Sequence, residues 1–439
     1  MNLWSVSSLG IGAMVGAGIF AVLGQAAVIA GGGTYIAFIL GGLVAALSGY
    51  SYAKLAVRYP EAGGVSAYFD QSFGKGRGSG TLSLIYVLTI AVTVALVAKA
   101  FGAYAAPLLL GRSDPLWVNV FACAIVILLA LLNVVGSSLV GRAEAILVGI
   151  KLIILAALML AGGASLIGKH GVAPSRPDIM GVFGCVGLTF LAYAGYDNTA
   201  NAASSVKNPK RIIPLAMCVA IGVVILLYVG LSLVVLANVS TAGLAQDSDT
   251  AVAEAAKPVL GPAGYVVVSI GALLATASGI NAWIFNGINI STSLAKNGQL
   301  PKIFAQTLCR KGSRGFVLSI AGILLIIVIF DLSALSHIAS ATFLVIYLAV
   351  QLAHWRLIRE TGASKIIVGT GLLALGAVLT LFIWTTARSQ PYSIALIAAF
   401  IAASGLAEAL LMKKQSPPAQ NILSTLKPYP SSGSRAFDK

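Results

Sequence analysis

Long apolar runs fill most of this chain, and they limit the folds that it can adopt. Each run has about 20 residues or more, enough for a helix to cross a hydrocarbon core of about 30 Å. Of the 439 residues, 58% are hydrophobic and 9% are charged, whereas a soluble domain has roughly 25% charged residues. The sequence therefore predicts an all-α polytopic membrane protein with the lipid bilayer as its surroundings.

Dividing the apolar runs at Pro, Gly and charged residues predicts about twelve transmembrane helices. The predicted spans are 7–29, 33–57, 80–109, 116–135, 140–167, 178–203, 212–238, 260–295, 316–331, 333–354, 365–386 and 391–413. The segment that follows is rich in Pro and Ser, which is typical of a disordered tail.

The cations that give the chain its net charge of +15 lie in alternate connections between the spans. One set of connections holds Arg58, Lys75, Arg77, Arg142, Lys207, Lys210, Arg211, Lys296, Lys302, Arg310, Lys311, Arg314, Arg356, Arg359, Lys365, Lys413 and Lys414. The other set holds Arg112, Lys169, Arg176, Lys257 and Arg388. Because short cytoplasmic loops retain Lys and Arg, we expect a multi-pass protein of the cell (plasma or cytoplasmic) membrane with both termini in the cytoplasm. This distribution explains the basic charge without a nucleic acid partner.

Two spans contain segments with glycine that are predicted to interrupt a helix. The first span has GIGAMVGAGIF at 10–20, and the sixth has FLAYAGYDNTANAA at 190–203. Backbone groups freed by such breaks are tolerated at membrane depth only where they line a cavity or bind something. Corresponding breaks in two halves of a chain therefore predict a transporter whose substrate site lies near the bilayer midplane.

The chemistry of such a site follows from the ends of the half-helices. Their amino termini suit a carboxylate, and their carboxyl ends suit an ammonium group or a metal cation. A zwitterionic amino acid satisfies both. The scattered cysteines form no metal-binding pattern, and neither an HExxH motif nor a nucleophile elbow is present, so the sequence predicts no enzyme, bound metal or cofactor.

Three segments resemble the amino acid-polyamine-organocation transporters. GAGIF in the first span is similar to their G-[SA]-G-I-F break, and YPEAGGVSAYFDQSFG at 59–74 resembles their signature loop after the second span. YAGYDNTANAASSVKNPKRIIPLA at 193–216 resembles F-x-G-x-D followed by E-E-x-K-N-P-x-R-x-I-P. The resemblance covers nearly the whole chain and implies a LeuT-type fold with a 5+5 inverted repeat. Its implied divisions are 1–170 (spans one to five), 171–358 (spans six to ten), 359–414 (the last two spans) and the cytoplasmic tail 415–439.

The resemblance also implies a substrate site. Gly16, Ala17, Gly18 and Ile19 would bind the carboxylate of the substrate, and Leu191, Ala192, Tyr193 and Ala194 would bind its amino group and shape the pocket. These residues offer no partner for a charged side chain, which favours a neutral amino acid and leaves a polyamine open. Asp197 would either support the broken helix or help to gate the site. Many relatives have two glutamates where this chain has Ser204 and Ser205, so a cytoplasmic gate made by those acids is absent or reorganised.

Lys151 lies in the middle of the fifth predicted span. It is about ten residues into the span, so it lies roughly 15 Å deep, where a charge costs at least about 2.5–3.5 kcal/mol. The segment GRAEAILVGIK resembles the ApcT-type proton-coupled members, in which the lysine ammonium takes the place of a sodium ion. The resemblance implies proton exchange at Lys151, held by a carbonyl near Gly12 and a hydroxyl of Ser278 or Thr276. A permanently paired structural lysine is the alternative.

The sequence thus predicts a secondary transporter of amino acids, coupled to protons through Lys151 and working by alternating access. Its expected partners are the amino acid substrate and protons. An amino acid or polyamine exchanger is the alternative within transport. A channel or a membrane sensor of substrate is the alternative from another class, since broken helices also line pores.

Overall fold

The computed structural model describes residues 1–60, 64–74, 76–135, 140–167, 177–309 and 312–415. In chain order its helices are α1 (Leu3–Ala17), α2 (Ile19–Ala30), α3 (Thr34–Arg58), α4 (Val65–Phe73), α5 (Arg77–Leu110), α6 (Pro115–Val135), α7 (Val140–Ile167), α8 (Ile179–Ala192), α9 (Asp197–Asn201), α10 (Pro209–Asn238), α11 (Thr241–Gln246), α12 (Ala251–Glu254), α13 (Lys257–Lys296), α14 (Arg314–Ile329), α15 (Leu332–Arg356), α16 (Ile358–Thr361), α17 (Lys365–Ser389) and α18 (Pro391–Gln415). Three 3-10 turns (Ala202–Ser205, Ser248–Thr250 and Lys302–Phe304) and a small hairpin of β1 (Thr307–Cys309) with β2 (Gly312–Ser313) complete the described part.

Apolar helices of membrane-crossing length dominate this architecture. Among the described residues, nine helices are long and apolar enough to cross a bilayer, and the bent pair α1–α2 makes a tenth. Two further apolar helices, α14 and residues 391–406 of α18, are shorter. The all-α membrane class predicted from the sequence is therefore confirmed. The count of about twelve spans stays a prediction, because two of the twelve apolar segments fall below the usual spanning length.

Burial separates inner helices from outer ones. The most apolar window is 72% buried in α5 and 78% in α15, but 22% in α6 and 28% in α17. Leucine and isoleucine side chains of α7 and α17 are among the most exposed in the protein. Since such a surface is stable only against hydrocarbon, the outer helices face lipid and the inner helices enclose the polar residues.

Helix α1 packs against α13, α10 and α7, while α8 packs against α2 and α3. The most extensive contacts join α5 to α13 and α3 to α10. In each of these two most extensive pairs, one helix belongs to the first half of the chain and the other to the second. The repeat boundaries themselves stay predictions, and the proposed junction at 170 lies outside the described residues, as does the proposed tail beyond 415.

The structure also contains short helices that the sequence reasoning missed. Helix α4 occupies part of the supposed loop after α3, and α11 and α12 lie between α10 and α13. They are far too short to span a bilayer, so a search for long apolar runs passes over them. Their positions depend on tertiary contacts instead: a Cβ at Gly24 of α2 would lie 1.8 Å from the carbonyl oxygen of Ser248, just before α12.

Polar contacts fasten the connections at one end of the bundle. Asp70 of α4 accepts hydrogen bonds from the Ser79 hydroxyl of α5 and from Gln299 Nε2, the latter at 2.8 Å. Tyr59, just after α3, donates its hydroxyl to Glu360 at 2.6 Å. Burial, together with this hydrogen bond, raises the pKa of Tyr59 to about 12, so the hydroxyl remains a donor at neutral pH.

A glycine allows α5 and α6 to pack closely. A Cβ at Gly102 would lie 2.2 Å from the carbonyl oxygen of Val118, and neither backbone can easily move aside. Gly102→Ala should therefore destabilise the protein by about 1–3 kcal/mol, the usual cost of overpacking. The measurement is the thermal unfolding midpoint of the purified protein in detergent.

The matched control is Gly376→Ala in α17, where an added Cβ meets no heavy atom within 4 Å. Because alanine favours a helix over glycine by up to about 1 kcal/mol, this variant should be as stable as the wild type or more so. Equal midpoints for the two variants would show that α5 and α6 do not depend on this close approach.

Candidate functional site

The first helix break lies at Gly18, between α1 and α2. The axis turns by 49° from Leu3–Gly16 to Ile19–Ala30. The Gly18 N–H still bonds to the carbonyl of Met14 at 2.8 Å. A Cβ at Gly18 would lie 2.1 Å from the carbonyl oxygen of Ala192. Only glycine fits here, because the backbone of the other broken helix occupies the space of a side chain.

The second break lies between α8, which ends at Ala192, and α9, which begins at Asp197. Gly195 has a φ of +123°, a conformation that L residues rarely adopt. A Cβ at this glycine would lie 2.9 Å from Ala13 Cβ and 3.0 Å from the Met14 nitrogen. The two breaks therefore lie in direct contact at their backbones.

This contact brings together both groups of residues that the resemblance assigned to substrate. Their described side chains are all buried. Gly16 also lies close to α13, since a Cβ there would be 2.6 Å from the carbonyl oxygen of Ala275. Helix α2 begins at Ile19 with its amino terminus directed at the break, and α8 ends there with its carbonyl groups. The arrangement places a positive and a negative helix end side by side.

Tyr228 of α10 joins the two breaks, and the sequence reasoning missed it. Its hydroxyl is within hydrogen-bond distance of the Met14 carbonyl at 2.8 Å and of the Ala192 carbonyl at 3.1 Å. Its ring lies 5.1 Å from that of Tyr193, whose own hydroxyl donates to the Phe38 carbonyl at 2.8 Å. A tyrosine inside the apolar run VVILLYVGL was the available signal, because a phenol in the membrane needs an acceptor.

Lys151 lies in α7 with 1% of its surface exposed. Its ammonium nitrogen is 2.9 Å from the Gly12 carbonyl oxygen and 3.3 Å from Ser278 Oγ. Thus Lys151 connects α7 to both α1 and α13. Thr276, the other hydroxyl considered from the sequence, uses its proton within α13, where it lies 2.7 Å from the carbonyl oxygen of Ala272. The contacts place Lys151 beside the first broken helix, one turn before the break.

Asp197 is the first residue of α9 and is fully buried. It accepts hydrogen bonds from the hydroxyls of Tyr86 in α5 and Tyr347 in α15, the latter at 3.3 Å. Asn286 of α13 extends this network to Tyr86 at 3.5 Å. Among the described residues no cation forms an ion pair with Asp197. Its carboxyl group thus ties α9 to the inner helices through neutral donors.

Other polar residues singled out in the sequence lie elsewhere in the described part of the chain. Lys99 of α5 is 8% exposed and bonds to Asn119 of α6. Ser204 and Ser205 are exposed at the end of the turn after α9. Within the described part of the chain, no group of three or more His, Cys, Asp or Glu residues could hold a metal ion.

Comparison with known proteins finds similar sequences over nearly the whole chain. The family model of the amino acid permeases matches residues 1–410. The inner membrane transport protein YbaT of Escherichia coli is 46% identical over 386 residues, which are 88% of this chain and 90% of YbaT. The protein MJ0609 of Methanocaldococcus jannaschii is 35% identical over 405 residues, which are 91% of this chain and 93% of that protein.

A solved structure supports the fold independently of close sequence similarity. A mutant manganese transporter of Eremococcus coleocola superposes with a TM-score of 0.59 over 94% of each chain at 17% identity. At this identity the likeness concerns the fold alone, and manganese is the cargo named for that protein. Its fold is LeuT-like, so the LeuT-type fold class implied by the sequence resemblance is confirmed, while the 5+5 repeat count stays a prediction.

The hydroxyl of Tyr228 gives a test of the contact between the breaks. Tyr228→Phe keeps the ring but removes the hydroxyl proton that is within reach of both carbonyls. The Met14 carbonyl keeps its bond from the Gly18 N–H, whereas the buried Ala192 carbonyl loses this donor, at a cost of about 1–3 kcal/mol. We expect a lower thermal unfolding midpoint and weaker substrate binding by the purified protein.

Tyr52→Phe is the matched control, because Tyr52 is equally buried and its hydroxyl has no hydrogen-bond partner among the described residues. This variant should keep the wild-type midpoint. If Tyr228→Phe behaves like Tyr52→Phe, the bridging hydroxyl does not hold the breaks together.

Proposed function

Because this chain belongs to the amino acid permease family, we propose that it is a secondary transporter that carries amino acids together with protons by alternating access. The family establishes a multi-pass membrane transporter of small molecules. The observation that carries the proton coupling is the position of Lys151. A buried, titratable amine contacts the first broken helix and the inner helix α13 at the same time.

The substrate site lies between the two breaks in this proposal. The amino terminus of α2 suits a carboxylate, and the carbonyl groups at the end of α8 suit an ammonium group. Among the residues assigned to substrate, the described side chains are apolar apart from Tyr193, whose hydroxyl is bonded to the Phe38 carbonyl. No charged partner for a substrate side chain lies among them, which favours a neutral amino acid as the substrate.

Protonation of Lys151 changes how strongly α1 is held. The ammonium form makes charge-assisted hydrogen bonds, which are roughly twice as strong as neutral ones. Loss of the proton weakens the link to the Gly12 carbonyl and to Ser278, and α1 becomes freer to move against α13. Coupling requires that the proton and the substrate each bind the inward-open and outward-open states with different affinity. With both termini in the cytoplasm, an inward proton gradient then drives uptake.

The test is uptake of a panel of labelled amino acids by proteoliposomes, with and without an inward proton gradient. Uptake by the wild type should rise with the gradient. Lys151→Met keeps the length of the side chain but cannot bind a proton, so the stimulation should disappear. Lys99→Met is the control. Lys99 is the other lysine that is buried among the described residues, and it bonds to Asn119, so the stimulation should survive its loss.

Other outcomes identify the alternatives. Uptake that does not depend on the proton gradient but requires internal amino acid would make the protein an exchanger, with Lys151 as a fixed structural link. Downhill flux without saturation would indicate a channel. Binding without flux would indicate a sensor.

For Asp197 we propose a gating role, which predicts a different result. Asp197→Asn keeps the shape but weakens the bonds from Tyr86 and Tyr347. A hydrogen bond contributes about 0.5–1.5 kcal/mol net, so weakening two of them should lower the initial rate of uptake about tenfold. The ratio of rates with and without the proton gradient should stay at the wild-type value.

Tyr347→Phe removes one of the two donors and should produce a smaller fall of the same kind. If Asp197→Asn abolishes the stimulation by the gradient instead, the carboxyl group belongs to the proton pathway and not to a gate.

A further inference from the structure

A long apolar cavity lies on the side of α5 and α13, away from the helix breaks. Its volume is about 280 Å³, and it is enclosed by α5, α13, α14 and the connection before α14. Along α14 its wall extends from Phe316 to Ile326, which is about 15 Å of helix. The volume falls near the lower end of the roughly 300–1,000 Å³ typical of small-molecule sites. The shape fits one narrow apolar chain better than a globular ligand.

The cavity opens toward the bilayer beside α14, since Leu318 lines the cavity and is also 59% exposed. The outer face of α14 leaves Val317, Leu318, Leu325 and Val328 between 57% and 61% exposed. Such a face is stable only in hydrocarbon, so the medium next to the cavity is the acyl region of the membrane.

Three cationic residues lie close in sequence to lining residues at one end of the cavity. Arg314 stands between the lining residues Ser313 and Phe316, and Lys302 stands two residues before the lining residue Phe304. Together with Lys296 at the end of α13, they are exposed. No carboxylate forms an ion pair with any of the three among the described residues. An apolar channel that ends in unpaired positive charge is complementary to an anionic amphiphile.

Trp283 of α13 forms part of the cavity wall. It is fully buried, and its indole N–H has no hydrogen-bond partner within the described part of the chain. The ring lies 5.6 Å from that of Phe343, which stacks at 5.5 Å on Tyr347. Tyr347 donates to Asp197. A chain of packed rings therefore connects the cavity to Asp197 and its hydrogen-bond network, the polar centre of the protein.

From these observations we infer that the cavity is a binding site for an anionic diacyl phospholipid. One acyl chain lies in the cavity beside Trp283, and the phosphate lies among Lys296, Lys302 and Arg314. The second acyl chain runs along the exposed face of α14. The site is independent of the substrate and of proton coupling, so it stands or falls without the proposed transport mechanism.

Lipid retention tests this directly. The purified full-length protein is incubated with equal amounts of phosphatidylglycerol and phosphatidylcholine of the same acyl composition, and the lipid retained after removal of excess is counted by native mass spectrometry. The wild type should retain phosphatidylglycerol over phosphatidylcholine by about fivefold or more, as expected of at least one Lys or Arg beside an anionic headgroup.

Two variants distinguish binding of the acyl chain from binding of the headgroup. Gly322 lines the cavity, and an added Cβ there meets no heavy atom within 4 Å, so Gly322→Leu should fill the cavity without strain and lower the retention of both lipids. Lys302→Gln combined with Arg314→Gln should leave the cavity open but remove the preference for phosphatidylglycerol.

The controls make equivalent changes elsewhere. Gly376→Leu adds the same side chain to α17, where a Cβ also has open space, and Lys365→Gln removes an exposed cation at the start of that helix. Both should retain lipid as the wild type does. Equal retention of the two lipids by the wild type would overturn the inference, as would Gly322→Leu retaining as much phosphatidylglycerol as Gly376→Leu.

Discussion

Breaking a helix inside a membrane frees backbone N–H and C=O groups in a medium that cannot hydrogen-bond to them. Each unsatisfied group there costs several kcal/mol, so the two breaks of this protein require partners. Part of that need is met by Tyr228, whose hydroxyl is within hydrogen-bond distance of the carbonyls of Met14 and Ala192. The breaks also pack directly against each other, Gly18 against Ala192 and Gly195 against Met14. This contact decides where α1, α2, α8 and α9 can lie, and the other inner helices pack around them.

Two donors from neighbouring helices reach the end of α1, and they differ in one important property. The hydroxyl of Tyr228 reaches the Met14 carbonyl, and the ammonium of Lys151 reaches the Gly12 carbonyl. The tyrosine is a neutral donor, whereas the lysine is a donor that can exist with or without an added proton. In the proposed mechanism the tyrosine therefore holds the site together, and the lysine makes its opening sensitive to protons.

Helices α5 and α13 connect the interior to the lipid-facing surface. On their inner side they carry Tyr86, Asn286 and Ser278, which contact Asp197, its network and Lys151. On their outer side they form walls of the apolar cavity that contains Trp283. A change in the packing of these two helices affects both the polar residues on the inner side and the cavity on the outer side, because close-packed interiors transmit strain. The inferred lipid therefore occupies a position from which it can influence the polar centre.

Sequence alone determined the class of the protein, the positions of the long helices and the places where two of them break. Each of these depends on composition within about 20 residues, which is the length scale of one membrane crossing. The depth of Lys151 was also predicted from its place within one span. The residues expected to contact it were implied by the resemblance to a family.

Tertiary structure alone decided the remainder. Helices α4, α11 and α12 are too short to leave a periodic signal, and they are stabilised by neighbours far away in the chain. Tyr228 and Met14 are 214 positions apart, and no local pattern indicates that they meet. The cavity beside Trp283 likewise exists only where three helices converge. Local sequence fixes which segments enter the membrane because transfer into hydrocarbon is summed over neighbouring residues, whereas contacts between segments depend on how the helices pack once they are there.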